Sequence, residues 1–391
     1  MAASTRSNPK SFQQFIEDKK LVICVGAGGV GKTSMAAAIG VRAACDGKKV
    51  LVLTIDPAKR LANSLGLSRF GNDEAQIDLS AIAEVTECKE GGELWAMMLD
   101  GQHVFIELIN RVAKDNETRD AILSNNIFQS IAETIVGNQE YMATEKLYDV
   151  VSGDRYDLII LDTPPVKNAL DFLDSPGRMA RFVDERIMKW FLSPYDEKTI
   201  FSRIVSKTSS VIFRLLAYIF GKDFVSEISL FFQSFTDLYE GFQQRHQAVE
   251  DLFRSTDTVF TIVCAPNGPA TEVAHFFISE LNKRKMNIGG VVVNQCHVTS
   301  GVALEPAPLL RRVLSDDDEI STPERLLTAR MKSAHRRLRH LSIYENRLSV
   351  MIKERLNEAQ GLWHVARLQG EVHDLQALVK VGDILFEEPS V

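Results

Sequence analysis

The sequence predicts an α/β fold: a doubly wound, mostly parallel β-sheet with an inserted α-helical subdomain. Short β-branched apolar runs are typical of strands that are buried on both faces. They alternate with helical patterns, and this alternation implies crossover connections over both faces of one sheet. The predicted strands are Leu21–Val25, Val50–Ile55, Leu94–Leu99, Leu158–Leu161, Val259–Cys264 and Gly290–Val293.

Helical patterns lie between most of these strands. The predicted helices are Lys32–Cys45, Glu145–Val151, Glu272–Arg284 and Val372–Phe386. The alternation breaks at about 177–255, where aromatic residues recur without strand punctuation, so this segment is the predicted helical insertion. A further helical stretch covers about 322–359; it starts at a capping box with a proline in the first turn and keeps a three-four apolar spacing. Residues 1–20 are predicted to be an N-terminal leader segment, and 21–391 a single domain.

Composition and charge exclude several classes of protein. Of the 391 residues, 45% are hydrophobic and 25% are charged, which excludes a disordered or fibrous chain. The net charge of -7 disfavours non-specific binding of nucleic acid. No export signal or membrane-spanning run is found, so we expect a cytoplasmic protein that is not an integral membrane protein. The five dispersed cysteines are expected to be reduced thiols.

A glycine-rich segment after the first predicted strand fits the phosphate-loop pattern G-x-x-x-x-G-K-[ST] at every fixed position. It opens an alanine-rich helix, which is the context that the pattern requires. Glycines let backbone N–H groups turn toward phosphate oxygens, and the helix N-terminus adds its dipole to the same anion. The alternative is a glycine-rich turn with a chance lysine. The predicted nucleotide-binding residues are Gly26, Ala27, Gly28, Gly29, Val30, Gly31, Lys32, Thr33 and Ser34.

The glycine-rich segment and two strand ends predict which residues bind the metal and which catalyse. Lys32 can reach the β- and γ-phosphates, and the Thr33 hydroxyl can ligate Mg²⁺. Asp162 and Asp56 each end an apolar strand, and strand carboxyl ends converge on the ligand crevice of a doubly wound sheet. Asp162 is therefore predicted to hold Mg²⁺, directly or through water. Asp56 is predicted to position or deprotonate the attacking water, with a turn or helix-capping acid as the alternative.

Four segments occur in an order that resembles one family, the ArsA/GET ATPases. These are the arsenite-pump ATPases and the ATPases that guide tail-anchored proteins to membranes, within the wider MinD/ParA-like group of P-loop NTPases. The segments are Gly26–Thr33, Thr54-Ile55-Asp56-Pro57-Ala58, Asp162-Thr163-Pro164-Pro165 and Val291-Val292-Val293-Asn294-Gln295. The resemblance covers the α/β elements across nearly the whole chain, and it implies that 21–391 is one P-loop ATPase domain.

The resemblance implies a nucleotide-sandwich dimer that binds ATP with Mg²⁺ and hydrolyses it. Lys32 and Asp56 would be catalytic, Thr33 and Asp162 would bind the metal, and Asn294 would read the adenine, since its amide can donate and accept. Hydrolysis would be coupled to a protein client or a membrane-associated partner. The alternatives are a nucleotide-dependent chaperone for hydrophobic helices with negligible turnover, and a MinD/ParA-like spatial organiser.

The sequence departs from the family at Ala27, where members usually carry a lysine that reaches the partner's phosphates. One hypothesis is that a nearby cation substitutes for it, with Lys59, Arg60 and Lys167 as candidates. The competing hypothesis is a heterodimer with a paralogue that keeps the lysine, instead of a homodimer. Asn267 stands where the tail-anchor branch tends to carry an acid near the nucleotide.

Other sites of related proteins are judged from residue patterns. The chain has no C-x-x-C, so a zinc clamp is not expected, and its scattered cysteines disfavour an arsenite site. Basic residues of the 322–359 stretch either face solvent, which we favour, or contact nucleic acid. One aromatic stripe of the insertion either lines a groove for a hydrophobic client or packs onto the sheet: Phe231, Phe232, Phe235, Leu238, Tyr239 and Phe242.

Overall fold

One eight-stranded sheet organises the part of the chain that the structure describes. The computed structural model describes residues 11–55, 60–67, 73–113, 115–124, 139–164, 247–297, 322–368 and 374–387, with single positions at 169, 172, 173, 218, 221, 245, 370 and 372. The strands are β1 (Leu21–Gly26), β2 (Lys49–Thr54), β3 (Ala75–Ile77), β4 (Glu93–Met98), β5 (Leu158–Asp162), β6 (Thr258–Cys264), β7 (Ile288–Cys296) and β8 (Gly361–Ala366). Their order across the sheet is β3-β4-β2-β5-β1-β6-β7-β8.

The strand pairings confirm the predicted α/β class. Each described pair is parallel except β3 with β4, which is antiparallel at one edge of the sheet. The six predicted strands are present, and none of their ends is shifted by more than three residues. β3 and β8 were not predicted as strands. β3 has only three residues, and the β8 segment carries a tryptophan and a histidine beside its aliphatic residues.

Helices flank the sheet and set its winding. They are α1 (Phe12–Ile16), α2 (Lys32–Cys45), α3 (Arg60–Ser64), α4 (Gly101–Val112), α5 (Asn116–Ser124), α6 (Gln139–Ser152), α7 (Gly268–Lys283), α8 (Thr322–Lys353) and α9 (Leu375–Glu387), with a 3₁₀ turn at Leu79–Ile82. The connection from β1 through α2 leads to one side of the sheet, and that from β6 through α7 leads to the other. Right-handed crossovers in opposite directions place α2 and α7 on opposite faces, which is the doubly wound arrangement.

The N-terminal segment contributes to the core. The Phe12 side chain is buried, and its ring lies 5.0 Å from Trp363 of β8 and 5.5 Å from Phe386 of α9, measured between centroids. Residues 12–16 therefore pack with the domain, although the sequence pattern assigns them to a leader. Of the predicted insertion at about 177–255, the structure describes only residues 247–255, where 247–254 are helical, and the single positions 218, 221 and 245. Its aromatic stripe lies outside the described residues.

The long helix α8 is attached to the sheet near its C-terminal end. Glu345, in its second half, is buried and accepts a hydrogen bond from the backbone N–H of His297, which directly follows β7 (2.8 Å). The same carboxylate lies 2.7 Å from Nδ1 of His297. α8 ends at Lys353, earlier than the predicted 359. In the described ranges, no helix has both the length and the apolar character needed to cross a membrane.

A disulfide joins Cys45 and Cys88, which corrects the expectation that the cysteines are all reduced. The partners lie 43 residues apart, at the end of α2 and in the loop before β4. The backbone N–H of Lys89 donates to the carbonyl of Cys45 (2.8 Å), so this loop lies against the end of α2 and brings the sulfurs together. Dispersed positions in the sequence do not reveal such a contact. The remaining cysteines are buried free thiols: Cys24, Cys264 and Cys296.

Acidification is expected to destabilise the fold through His364 of β8. The imidazole is half-buried, with Nε2 2.9 Å from Oγ of Ser349 in α8, and burial lowers the pKa of His364 from the ordinary 6.5. The folded state thus favours neutral imidazole, so this stabilisation is complete above about pH 6.5 and lost as the pH falls through the lowered pKa. Urea unfolding gives the unfolding free energy at about pH 7.5 and at about pH 5. The fall between these two pH values should be smaller for His364→Gln than for the unchanged protein. The exposed His340→Gln should behave like the unchanged protein; equal losses in all three would contradict the assignment.

Candidate functional site

The phosphate loop lies at the carboxyl end of the sheet, between β1 and α2. β1 ends at Gly26, whose backbone passes so close to β6 that a Cβ there would lie 2.1 Å from the carbonyl oxygen of Val263. Gly31 precedes the first residue of α2 and adopts a left-handed conformation, with φ +90°. The loop is therefore held by close backbone contacts that only glycine allows, and the first N–H groups of α2 open toward the crevice.

Two threonine hydroxyls converge on one carboxylate oxygen of Asp162 beside this loop. The Thr33 hydroxyl, in the first turn of α2, donates to Oδ2 of Asp162 (2.7 Å). The Thr54 hydroxyl, at the end of β2, donates to the same oxygen (3.0 Å). Parallel pairing brings Thr54 to Asp162, because Asp162 at the end of β5 is in register with Thr54 on one side and with Cys24 of β1 on the other. Asp162 and Thr54 are buried.

Lys32 is the cation of the phosphate loop. Its side chain is only 7% exposed, and its ammonium donates to the carbonyl of Ala27, five residues earlier in the same loop (2.9 Å). The amine thus lies across the loop, within the ring of backbone groups. A lysine in this position can place its charge on a phosphate that occupies the loop.

Asn294 connects β7 to the phosphate loop. Its amide Nδ2 donates to the carbonyl of Val30 (2.9 Å), and its Oδ1 accepts from the backbone N–H of Gln295 (2.9 Å). Gln295 adopts a positive φ of 63°, which is uncommon for a residue with a side chain. A cavity of about 560 Å³ opens here, lined by Gly29, Ser34, Asn294, Gln295 and Arg367 among others. Its size and position suit a nucleoside next to phosphates in the loop.

Four of the predicted site side chains lie outside the described part of the chain, and a fifth residue caps a helix. Asp56, Lys59 and Lys167 lie outside the described residues. Arg60 begins α3, but its side chain is outside the description too. Asn267, which follows β6, caps α7: its side-chain oxygen accepts from the backbone N–H of Ala270 (3.0 Å).

The buried cysteines near the site are protonated thiols and not nucleophiles. Burial, with the Asp162 carboxylate as a second cause, raises the pKa of Cys24. Burial raises the pKa of Cys264 to about 12. A thiolate is the form that attacks electrophiles and binds soft metals, so neither residue supplies one at neutral pH.

The donor set fits a Mg²⁺–phosphate group. Mg²⁺ prefers oxygen ligands, and Thr33 and Asp162 present a hydroxyl and a carboxylate at one place, with the Lys32 ammonium in the adjoining loop. Gly31 provides a second sign of fit. A Cβ at Gly31 would lie 2.4 Å from Nδ2 of Asn294, so a side chain there would displace the amide that contacts the loop.

Two residues of the site were not predicted from sequence. Thr54 is a β-branched residue in a β-branched strand, so it is read as sheet structure; the available signal was its place at a strand end, two residues before Asp56. Arg367 directly follows β8, and since β8 was not predicted as a strand, this position could not be recognised as part of the crevice. The general rule that carboxyl ends of parallel strands bind ligands covers both positions once the strand order is known.

Alanine at Gly31 is expected to weaken ATP binding about 10-fold more than alanine at Gly29. Both glycines have positive φ, +90° and +76°, so each substitution strains the backbone. Only the Gly31 methyl group meets another atom, Nδ2 of Asn294, whereas a Cβ at Gly29 has no atom within 4 Å. Calorimetric titration with ATP and magnesium measures the difference. Equal losses for the two variants would show that the Asn294 contact does not shape the loop.

Comparison with known proteins adds a family and its relatives. A family model described as anion-transporting ATPase, ArsA_ATPase, matches residues 19–303. The chain is 23% identical over 288 residues to "ATPase get3" of Aspergillus terreus, covering 73% of this chain and 76% of that protein. It is 24% identical to "ATPase GET3" of Malassezia globosa, covering 74% and 77% of the two chains. It is 23% identical to "ATPase ASNA1 homolog 1" of Paramecium tetraurelia, covering 71% and 74%.

Proposed function

Because the chain belongs to the ArsA family of anion-transporting ATPases, we propose that its ATPase activity drives a dimeric switch that acts on a protein client or a membrane-associated partner. The observation that carries the proposal is the meeting of Thr33 and Thr54 on one oxygen of the buried Asp162, beside Lys32. This arrangement joins the phosphate loop to the ends of β2 and β5. A change at the phosphates therefore has a short route to the segments that follow those strands.

The chain's own groups suit distinct parts of hydrolysis. Backbone N–H groups of the loop and the start of α2 bind the phosphates, and Lys32 stabilises charge on the β- and γ-phosphates. Asn294 and the cavity beside it hold the adenine. Asp56, which follows β2, positions or deprotonates the attacking water.

The metal is assigned to Thr33 and Asp162. Their oxygens lie 2.7 Å apart through a hydrogen bond, with Asp162 buried and Thr33 half-buried. When bound, Mg²⁺ neutralises charge on the phosphate oxygens. The hydrogen bond from Thr54 keeps the Asp162 carboxylate oriented, so Thr54 is a positioning residue.

The absence of a lysine at Ala27 shapes the proposal for the dimer. The family's lysine reaches into the partner's site, so this chain needs another cation there, from Lys59, Arg60, Lys167 or a paralogue. Alanine at each of these three positions, assayed for ATP turnover in the purified single chain, separates the two arrangements. A loss of turnover at one position supports substitution within a homodimer. Normal turnover in all three would overturn it.

Phosphate release by the purified chain with ATP and magnesium is the direct test. We expect measurable turnover of ATP. We also expect the molecular mass of an Asp56→Asn variant, measured by sedimentation, to double when ATP and magnesium are bound. Thr54→Val, which keeps the shape but removes the hydroxyl, should lower turnover about 10-fold while ATP still binds. ATP binding without measurable turnover in the unchanged chain would favour the nucleotide-dependent chaperone instead. A monomer in every nucleotide state would refute the dimeric switch.

A further inference from the structure

α8 carries one mostly apolar stripe along its described length, but only the C-terminal part of that stripe is buried against the rest of the protein. The stripe alternates spacings of three and four residues, which is the a/d pattern of a coiled-coil seam. Its members are Leu327, Met331, Ala334, Leu338, Leu341, Glu345, Leu348 and Ile352. The last three of these are buried, at 5%, 8% and 1% exposure.

The first half of the same stripe faces solvent. Leu327, Met331, Leu338 and Leu341 are 49%, 38%, 45% and 37% exposed, in one continuous helix with the buried part. Large apolar side chains at consecutive seam positions are uncommon on a surface unless something binds there. The stripe has only two apolar residues per heptad, which is narrower than the wide face of a membrane-surface helix. Its geometry therefore suits one helix packed against another.

Charge on the flanks identifies the kind of helix. Between positions 325 and 344 the sequence has no acidic residue, while it has Arg325, Arg330, Lys332, Arg336, Arg337 and Arg339. Arg330 and Arg337 occupy g positions, directly beside the exposed seam, and both are exposed. At such positions, charge selects the partner, and an arginine selects an acid.

A second copy of the chain fits this seam poorly. In an antiparallel pair, g positions face g positions, so Arg330 and Arg337 would oppose arginines. In a parallel pair they would face His335 and Ser342, and neither of these carries a negative charge. From these observations we propose that the exposed half of α8, residues 326–344, is a docking seam for an acidic amphipathic helix of a partner protein. The proposal concerns a surface outside the nucleotide site and does not depend on ATP hydrolysis.

Binding of two designed peptides to the full-length protein tests the proposal. Both are about four heptads long with leucine at a and d; one carries glutamate at e and g, the other lysine. We expect the glutamate peptide to bind at least about 10-fold more tightly at about 0.15 M salt. Arg330→Glu with Arg337→Glu should reverse this preference. The matched control, Arg336→Glu with Arg339→Glu, makes the same charge change away from the seam and should keep it.

The seam and its rivals are separated by further measurements on the same proteins. Leu338→Asn with Leu341→Asn changes only exposed side chains, so the protein should stay folded by circular dichroism and lose peptide binding about 10-fold or more. Three results would overturn the proposal. One is no binding of the glutamate peptide. Another is self-association that the leucine variant abolishes, which would make a second copy the occupant. The third is binding of anionic vesicles or duplex DNA that both arginine double variants weaken equally and that the leucine double variant leaves unchanged.

Discussion

Replacing Lys32 by alanine is expected to lower ATP turnover by about 100-fold or more. The side chain is buried in the loop that it spans, and its ammonium donates to the loop carbonyl of Ala27. Its loss removes charge stabilisation that develops most strongly as the terminal phosphate leaves. Phosphate release at saturating ATP measures the change, with thermal unfolding of the same samples to show that the variant is folded.

Lys49 provides the matched control for this substitution. It begins β2 at the opposite, amino-terminal end of the strand and pairs with Glu93 (3.2 Å). Lys49→Ala should therefore change turnover by less than about 2-fold, since this partly exposed ion pair lies far from the phosphate loop. If Lys32→Ala binds ATP and keeps turnover within a factor of about three of the unchanged protein, the assigned role of Lys32 is wrong.

Replacing Arg245 by methionine is expected to cost about 3–5 kcal/mol of unfolding free energy. The guanidinium contacts Glu145 and Asp149 of α6, at 2.5 Å each, and the Glu145 side chain is only 2% exposed. Burial alone would lower the pKa of Arg245, but these carboxylates raise it above its ordinary value. Without the arginine, a buried carboxylate loses its countercharge, and that loss is the source of the large cost.

Two further variants show whether the buried charge is the cause. Glu145→Gln combined with Arg245→Met removes both charges and should recover at least about half of the lost stability. Arg254→Met breaks an exposed pair with Glu250, four residues earlier on one helix, and should cost less than about 0.5 kcal/mol. Urea denaturation gives all these values. A cost below about 1 kcal/mol for Arg245→Met would contradict the buried-pair account.

The phosphate loop could be predicted from sequence because its chemistry is local. Lys32 and Thr33 lie within eight consecutive residues that match the phosphate-loop pattern, and this pattern alone predicts phosphate binding. Asp162 needed one more step, the rule that parallel strands end at a common edge. Thr54 and Arg367 needed the strand order itself, which sequence periodicity does not contain.

Contacts between distant segments were the part that sequence could not supply. Cys45 and Cys88 meet because a loop lies on the end of a helix, and no spacing rule applies to two cysteines 43 residues apart. Phe12 belongs to the core because its ring packs against Trp363 and Phe386. In the sequence, however, it lies in a polar segment, which does not indicate a core position. The roles of Asp56, Lys59 and Lys167 stay predictions, since these residues lie outside the described part of the chain.

The attachment of α8 at His297 would turn a small tilt of this helix into a large displacement of its far end. Glu345 accepts a hydrogen bond from His297, the residue that follows β7. Three residues earlier, Asn294 of β7 donates to the carbonyl of Val30 in the phosphate loop. Glu345 would therefore be the pivot of such a tilt. The arm from Glu345 to Leu326 is about 29 Å long at 1.5 Å per residue. A tilt of about 10° at the pivot would carry the far end about 5 Å, roughly one helical turn. Small rearrangements around a bound nucleotide would thus be magnified into a displacement that another protein can sense.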